Sequence, residues 1–323
     1  MFINSFLEKI LISLRYRLSL FNGKVVGGGN FVASNPKECN RLILEAIQSG
    51  CPFMVARFGS TEMHLIANYL NVKNNPHSYL NYILGKQEQW WWSRTKVEKI
   101  KALSGFFPLT EECIEKFCLL TIEDAKYIDI LGSWVDDESY IEKELKNAKK
   151  FALGDLKPPY RDSFSECNWL QGLAGKRVLV IHPFADTINN QYNYNRTKLF
   201  PNPNFLPLFT LVTIKAVQSL GGTCDFRTWF EALDWMKSEM DKVEYDVCIL
   251  GCGAYGLPLA AHAKRTGHIA IHIGGGTQML FGIRGRRWDD DEFFKPLYNE
   301  YWTRPSEKET PKTAQQVEGG CYW

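Results

Sequence analysis

The stretch Tyr245-Asp-Val-Cys-Ile-Leu-Gly-Cys-Gly-Ala-Tyr-Gly256 decides the fold. Its first half is a short apolar run with Val247 and Ile249, entered from a charged segment, and it predicts a buried strand. That strand runs straight into Gly251, Gly253 and Gly256. Residues 257–265 then read as a helix, with Pro258 in its first turn and Gly267 at its end. A second strand, His268-Ile-Ala-Ile-His-Ile273, breaks at Gly274-Gly275-Gly276. Strand, glycine turn, helix and strand make a βαβ unit, whose helix N-terminus offers backbone N–H groups to a phosphate. A tightly packed turn that binds nothing gives the same pattern. A nicotinamide cofactor is disfavoured, because His272-Ile-Gly274 stands where a ribose-binding acid belongs.

Upstream of this unit, Arg177-Val-Leu-Val-Ile181 predicts a strand ending in His182-Pro-Phe-Ala-Asp186. Residues 189–204 are polar and aromatic and suit a loop over a site. Residues 207–220 predict a helix closed by Gly221-Gly222, and residues 223–226 a strand. The order after Gly175 is then β-α-β-α-β-α-β, which implies a parallel sheet with right-handed crossovers. In the first half, Gly27-Gly28-Gly29 lies in a flexible connector. Asn35-Pro36-Lys-Glu38 starts a helix with an Asn cap and Pro in the first turn; its apolar face is Leu42, Ile43, Ala46 and Ile47, and Gly50 stops it. Pro52-Phe-Met-Val-Ala56 is a strand, followed by the turn Arg57-Phe58-Gly59-Ser60 and another helix. Residues 71–126 are helical and irregular. They hold Trp90-Trp91-Trp92, which cannot all share one helix face, so the core takes most of this run and at least one ring is expected at a groove or interface. Residues 126–131 and 150–153 predict two further strands, ending near Asp136, Asp137 and Asp155.

The fold class is therefore α/β: a Rossmann-like, mostly parallel sheet flanked by helices, with an N-terminal amphipathic helix. Residues 1–24 form that helix, 25–303 the α/β domain in halves of roughly 25–172 and 173–303, and 304–323 a tail. A chain of 323 residues can bury a large core. A net charge of +2 gives no basic face for nucleic acid. The nine cysteines include no Cys-x-x-Cys pair and read as reduced, which fits a cytoplasmic protein. No secretory signal is evident, and no uncharged apolar run reaches a membrane-spanning length. Ile3, Phe6, Leu7, Ile10, Leu11, Leu14, Leu18 and Phe21 recur at helical spacing beside Lys9, Arg15 and Arg17. That helix either lies on an anionic membrane, at the inner face of the cell membrane, or docks on its own domain or a second subunit. The tail is poor in apolar residues until Cys321-Tyr322-Trp323, whose aromatics are expected to dock near the site.

In parallel sheets, ligands bind beyond the carboxyl ends of the strands, so four turns matter: residues 57–62, 182–186, 251–256 and 274–278. Arg57 can clamp phosphate oxygens, and Glu62 can act as a base or hold a divalent ion. Equally, Ser60 suits a helix cap and Glu62 the helix dipole. His182 and His272 end strands and are either bases, phosphate donors or structural histidines. Arg284-Gly-Arg286-Arg287-Trp288 is a basic, aromatic patch that Asp289 and its neighbours offset.

Arg57-Phe-Gly-Ser-Thr-Glu62 resembles the Arg-Phe-Gly-Asp-Gly-Glu signature of bacterial glycosyltransferases of the GT-D fold. The closing βαβ unit is similar to that family's C-terminal half; the likeness spans roughly residues 53–62 and 177–282. The resemblance implies transfer of a sugar from a nucleotide-diphosphate donor to a glycan or lipid-linked acceptor, in surface polysaccharide assembly. It makes Glu62 the first choice for the catalytic residue, as a carboxylate, and His272 the second. Arg57, Phe58, Gly59, Ser60, His182, Gly251, Gly253, Ala254, Tyr255, Gly256, Gly274, Gly275 and Gln278 would bind the donor. Arg284 and Arg287 would contact the diphosphate or the acceptor. The family's divalent cation, Mn²⁺ or Mg²⁺, would fall to Glu62, but Ser60 stands where the family has an aspartate. Homo-oligomers are compatible with this reading. Its rivals are another nucleotide-dependent transferase, such as a methyltransferase, and a non-catalytic nucleotide- or glycan-binding subunit.

Overall fold

The computed structural model describes residues 2–21, 32–160, 165–219, 224–312, 314–316 and 319–323. The expected glycine connector and the Gly221-Gly222 helix stop fall outside these residues. In chain order the main elements are α1 (Ser5–Phe21), α2 (Pro36–Ser49), β1 (Phe53–Ala56), α3 (Ser60–Asn74), α4 (Tyr79–Ile83), α5 (Arg94–Ser104), α6 (Glu111–Ala125), β2 (Ile130–Ser133) and β3 (Lys149–Ala152). The second half adds β4 (Arg177–His182), α7 (Ala185–Asn190), β5 (Thr210–Lys215), α8 (Trp229–Met240), β6 (Val247–Leu250), α9 (Gly256–Arg265), β7 (Ile269–His272) and α10 (Gly276–Leu280). α2 begins as its sequence dictates: the Asn35 side chain accepts the Glu38 N–H, Pro36 takes the first position, and Gly50 turns out at φ 68°.

The seven strands form one sheet in the order β3-β2-β1-β7-β6-β4-β5, with every pairing parallel. Both halves of the chain therefore share a single Rossmann-like sheet. Its central strands are apolar along their length because helices cover both faces. One face packs against α3, α5, α6, α8 and α9, through residues such as Met63, Ile100, Phe117, Trp229 and Leu259. The other packs against α2, α7 and α10, through Ile43, Ile188 and Met279. The helices after β1 and β6 thus leave on one face, and those after β4 and β7 leave on the other. That divergence opens a crevice at the carboxyl edge, where ligands bind in such sheets.

Three expectations are corrected. Residues 207–220 do not form a helix, since residues 210–215 are the edge strand β5, paired with β4 from Arg177↔Thr210 to His182↔Lys215. Leucines at helical spacing suggest a helix, but Thr210, Val212, Thr213 and Ile214 are β-branched and favour the pleated edge. The strand expected at residues 223–226 is absent from its described part, residues 224–226. Residues 189–204 form no loop over a site. They continue α7 as short helical turns and pack inward, with Tyr192 stacked 4.4 Å from Phe209 and Gln191 donating to the Tyr301 carbonyl at 2.8 Å.

The tryptophan run also resolves simply. It is not helical, and Trp90, Trp91 and Trp92 are all buried, so none reaches an interface. Trp90 and Trp91 join Tyr82, Ile3 and Leu11 in a small core beneath α1, while Trp92 belongs to the main core. Arg15 pins α1 further, donating to the Gln87 carbonyl at 2.9 Å and to Glu88 at 2.7 Å. The N-terminal helix therefore docks on its own fold by one face, and leaves Phe6, Ile10 and Leu14 exposed on the other. No helix among the described residues is long and apolar enough to cross a membrane. Leu11→Ala should cost about 2–5 kcal/mol in urea unfolding, as a buried leucine does, while Phe6→Ser should stay within about 0.5 kcal/mol. Equal effects would show that α1 is not docked through this face.

Candidate functional site

The turn after β1 sets two charges beside each other without pairing them. Arg57 stands at the strand end. Its Nη1 donates to the Phe58 carbonyl at 2.9 Å, its guanidinium lies 5.7 Å from the Trp134 ring centre, and its Nε has no partner. The helix cap is Gly59 rather than Ser60, and it makes no side-chain bond. Glu62 folds back over it, so closely that a Cβ at residue 59 would fall inside the Glu62 carboxylate. This is the physical reason for glycine in the Arg-Phe-Gly run. Neither Arg57 nor Glu62 has an ion-pair partner among the described residues.

The turns after β4, β6 and β7 interlock through two histidines. His182 Nδ1 accepts the Phe184 N–H at 3.0 Å, so the neutral ring carries its proton on Nε2, which has no partner among the described residues. His272 Nδ1 faces the Leu250 carbonyl at 3.2 Å, an acceptor only, so that ring carries its proton on Nδ1. Burial pushes the pKa of both down to about 3, and for His272 the nearby Arg57 charge lowers it further. Both rings are therefore neutral near pH 7: one offers a donor, the other an acceptor.

The glycines make room for these rings. A Cβ at Gly251 would lie 2.5 Å from His182 Cδ2 and 2.8 Å from the Gly274 carbonyl oxygen. A Cβ at Gly256 would fall within the His272 imidazole. Gly253 and Gly274 adopt φ 58° and 57°, in the left-handed region. Arg57 lies against Gly274, where a Cβ would come within 3.1 Å of Nε and Nη2. The N–H groups of Cys252 and Gly253, just before α9, make no backbone hydrogen bond among the described residues.

These turns enclose a cavity of about 190 Å³ at the carboxyl edge. Of the residues singled out in the sequence, Arg57, Gly59, Ser60, Glu62, His182, Gly251, Gly253, Tyr255, His272, Gly274, Gly275, Gln278 and Arg287 line it. Phe58, Ala254 and Gly256 do not. Phe58 and Ala254 line a smaller adjoining cleft with Arg57 and Glu62, and Gly256 lies beneath His272. Arg284 is not brought in either: it pairs with Asp289 at 3.2 Å and stacks on Tyr298 at 4.6 Å. Asp137 and Asp155 are elsewhere, bonded to His64 and to the start of α2.

Sequence reasoning missed Trp134, Leu103 and Ser104 at the end of α5, and the run Val217-Gln218-Ser219 as cavity walls. Trp134 follows β2, and reading that strand through Ser133 instead of stopping at Leu131 would have found it. Residues 217–219 follow β5, which was read as a helix. The tail residues Tyr322 and Trp323 also line the cavity.

Two cations, Arg57 and Arg287, and one anion, Glu62, face the cavity, which suits an anionic ligand. The divalent cation implied by the resemblance does not fit these side chains. Glu62 is the only Asp or Glu side chain among the described lining residues, Ser60 stands beside it, and no group of three His, Cys, Asp or Glu side chains among the described residues could hold a metal ion.

Gly256→Ala tests the packing directly. Gly256 is the first residue of α9, where alanine costs the backbone nothing, so the collision with His272 should set the outcome, a loss of about 1–3 kcal/mol. Adding His272→Ala should restore most of it in thermal unfolding. The histidines also set a pH dependence. Their folded pKa lies below the ordinary 6.5, so the unfolded chain binds more protons between the two values. Stability should be full above pH about 6.5 and fall as pH drops towards about 3, with a shallower slope in His182→Gln. An unchanged slope would remove His182 as a cause. The chain matches no protein-family model, no curated protein and no solved structure.

Proposed function

We propose that the chain is a glycosyltransferase that binds a nucleotide-diphosphate sugar in this cavity and transfers the sugar to a hydroxyl of a glycan or lipid-linked acceptor. The observation that carries the reading is the pairing of roles within one turn: an unpaired guanidinium and an unpaired carboxylate, Arg57 and Glu62, face the same cavity as the glycine turn before α9. The likeness of Arg57–Glu62 to the GT-D signature adds to it. Aromatic walls, Trp134 and Trp323 among them, suit a sugar or base face.

In this reading Arg57, Arg287 and the free N–H groups near Gly253 stabilise the charge that grows on the departing diphosphate. His182 Nε2–H donates to a phosphate oxygen without adding charge. Glu62 takes the proton of the acceptor hydroxyl as its oxygen bonds to the anomeric carbon and the bond to the phosphate oxygen breaks. With a pKa near 3, His272 is a poor proton acceptor at neutral pH and orients a hydroxyl instead. The described lining side chains do not form a site for a metal ion.

The same reading puts the protein at a membrane surface. The outer face of α1 exposes Phe6, Ile10 and Leu14 beside exposed Lys9 and Arg17, and its one acid, Glu8, is buried. Phe6→Ser with Ile10→Ser should reduce sedimentation with anionic vesicles without changing unfolding; unchanged sedimentation would remove the membrane role.

Thermal shift against ADP, GDP, UDP, CDP and S-adenosylmethionine tests the ligand class. A nucleoside diphosphate should stabilise the fold, and Arg57→Ala should abolish the shift. Stabilisation by S-adenosylmethionine alone would support a methyltransferase instead. With the nucleotide sugar that turns over, Glu62→Gln should lower the rate at least about a hundredfold. Its stability should change by only about 1 kcal/mol. Turnover that survives Glu62→Gln would reduce Glu62 to a helix-start residue.

A further inference from the structure

One wall of the cavity comes from no strand end. Tyr322 and Trp323 line it, and the segment carrying them is tied to two turns on one side of the crevice. At the turn after β4, buried Glu309 caps the start of α7: its carboxylate accepts from the Asp186 N–H at 2.8 Å, the Thr187 N–H at 3.3 Å and the Thr187 hydroxyl. The Glu309 carbonyl then accepts the Trp323 indole N–H at 3.1 Å. Beyond β7, the Arg287 N–H donates to the Cys321 carbonyl at 2.9 Å, and the Gln278 amide donates to the Tyr322 carbonyl at 3.3 Å. The segment thus spans the turns after β4 and β7, whose helices leave on the same face.

Packing alone does not account for this wall. Two large aromatics held by so many bonds gain most by full burial, yet both Tyr322 and Trp323 are only half-buried and keep surface in the cavity. The Arg287 guanidinium lies 4.9 Å from the Tyr322 ring centre, so a positive charge and an aromatic face stand side by side. An anionic group joined to a flat ring is the ligand chemistry that matches both. Base-on-aromatic stacking accepts any base, because each has a π-face.

We propose that Tyr322 and Trp323 form an aromatic subsite that stacks on the ring of a nucleoside, whose phosphates lie towards Arg57 and the glycine turns, and that Glu309 is the positioning residue for this wall. The inference rests on the nucleotide part of the functional reading and not on sugar transfer.

Calorimetric titration of the full chain with ADP, GDP, UDP, CDP and inorganic pyrophosphate tests it. At least one nucleoside diphosphate should bind more tightly than pyrophosphate. Trp323→Ala should weaken that nucleotide by about ten- to a hundredfold while changing pyrophosphate by less than about twofold, and Trp323→Phe should retain most of the affinity. Glu309→Ala should mimic Trp323→Ala, and the two together should lose no more than either alone. If Glu309→Ala does not fold, the Trp323 pair decides alone. Nucleotide affinity that survives Trp323→Ala but is lost in Arg57→Ala overturns the aromatic subsite and leaves the nucleotide reading standing. Failure of the full chain to bind any of the five probes overturns both.

Discussion

Burial of the central strands on both faces is the constraint from which the site follows. Within β4, β6 and β7 every side chain but Arg177 is shielded from solvent, so polar chemistry is confined to the points where the chain leaves the sheet. Arg57, His182 and His272 stand at or just beyond those points. The helices then diverge to opposite faces, and the space between them cannot be filled by either layer. A crevice at that edge is therefore a consequence of topology, and the residues at the strand ends become its lining.

The glycine turn and the histidines are one feature. Gly251 and Gly256 are small because two imidazoles occupy the space their side chains would need. The rings are buried deeply enough that protonation is suppressed, and each has one nitrogen committed to the backbone. A histidine in that state is a fixed dipole with a defined donor or acceptor, a different tool from a base that titrates near neutrality. Glu62 is the only Asp or Glu side chain among the described lining residues.

Much of this was legible in the sequence where local signals agree. Val178–Ile181, the glycine turn and the run Ile269–Ile271 each point to a buried parallel strand, and the four strand-end turns meet as their positions imply. Legibility failed where one pattern supports two periods. Leu208, Leu211 and Ile214 fall at a spacing that fits a helix, while the run Thr210-Leu-Val-Thr-Ile214 has β-branched content that fits an edge strand; pairing to β4 settles the choice, and no local rule contains it. The same error hid residues 217–219 as cavity wall. The histidine contacts were unreadable for another reason: that Gly256 lies beneath His272 depends on the register between β6 and β7, with Leu250 opposite His272. The tail could be read only as aromatic residues in need of burial, because its anchor, Glu309, looks like one surface acid among several until α7 is in place beneath it.

The separation of Arg57 from Glu62 is the remaining step. Two opposite charges five residues apart on one turn would be expected to pair, and a pair would neutralise the cavity. Instead Glu62 turns back over the start of α3, towards the positive end of the helix, and Arg57 rests against Gly274 and Trp134. Each charge is offset weakly by dipoles and an aromatic face, and neither is spent on the other. In the proposed reading, a phosphate entering the crevice meets the Arg57 guanidinium without first breaking an ion pair. A second acid at Ser60 would add negative charge beside Glu62 and oppose the phosphate unless a cation came with it. In the proposed reading, arginine and neutral imidazole take the part that a metal would otherwise play at the diphosphate.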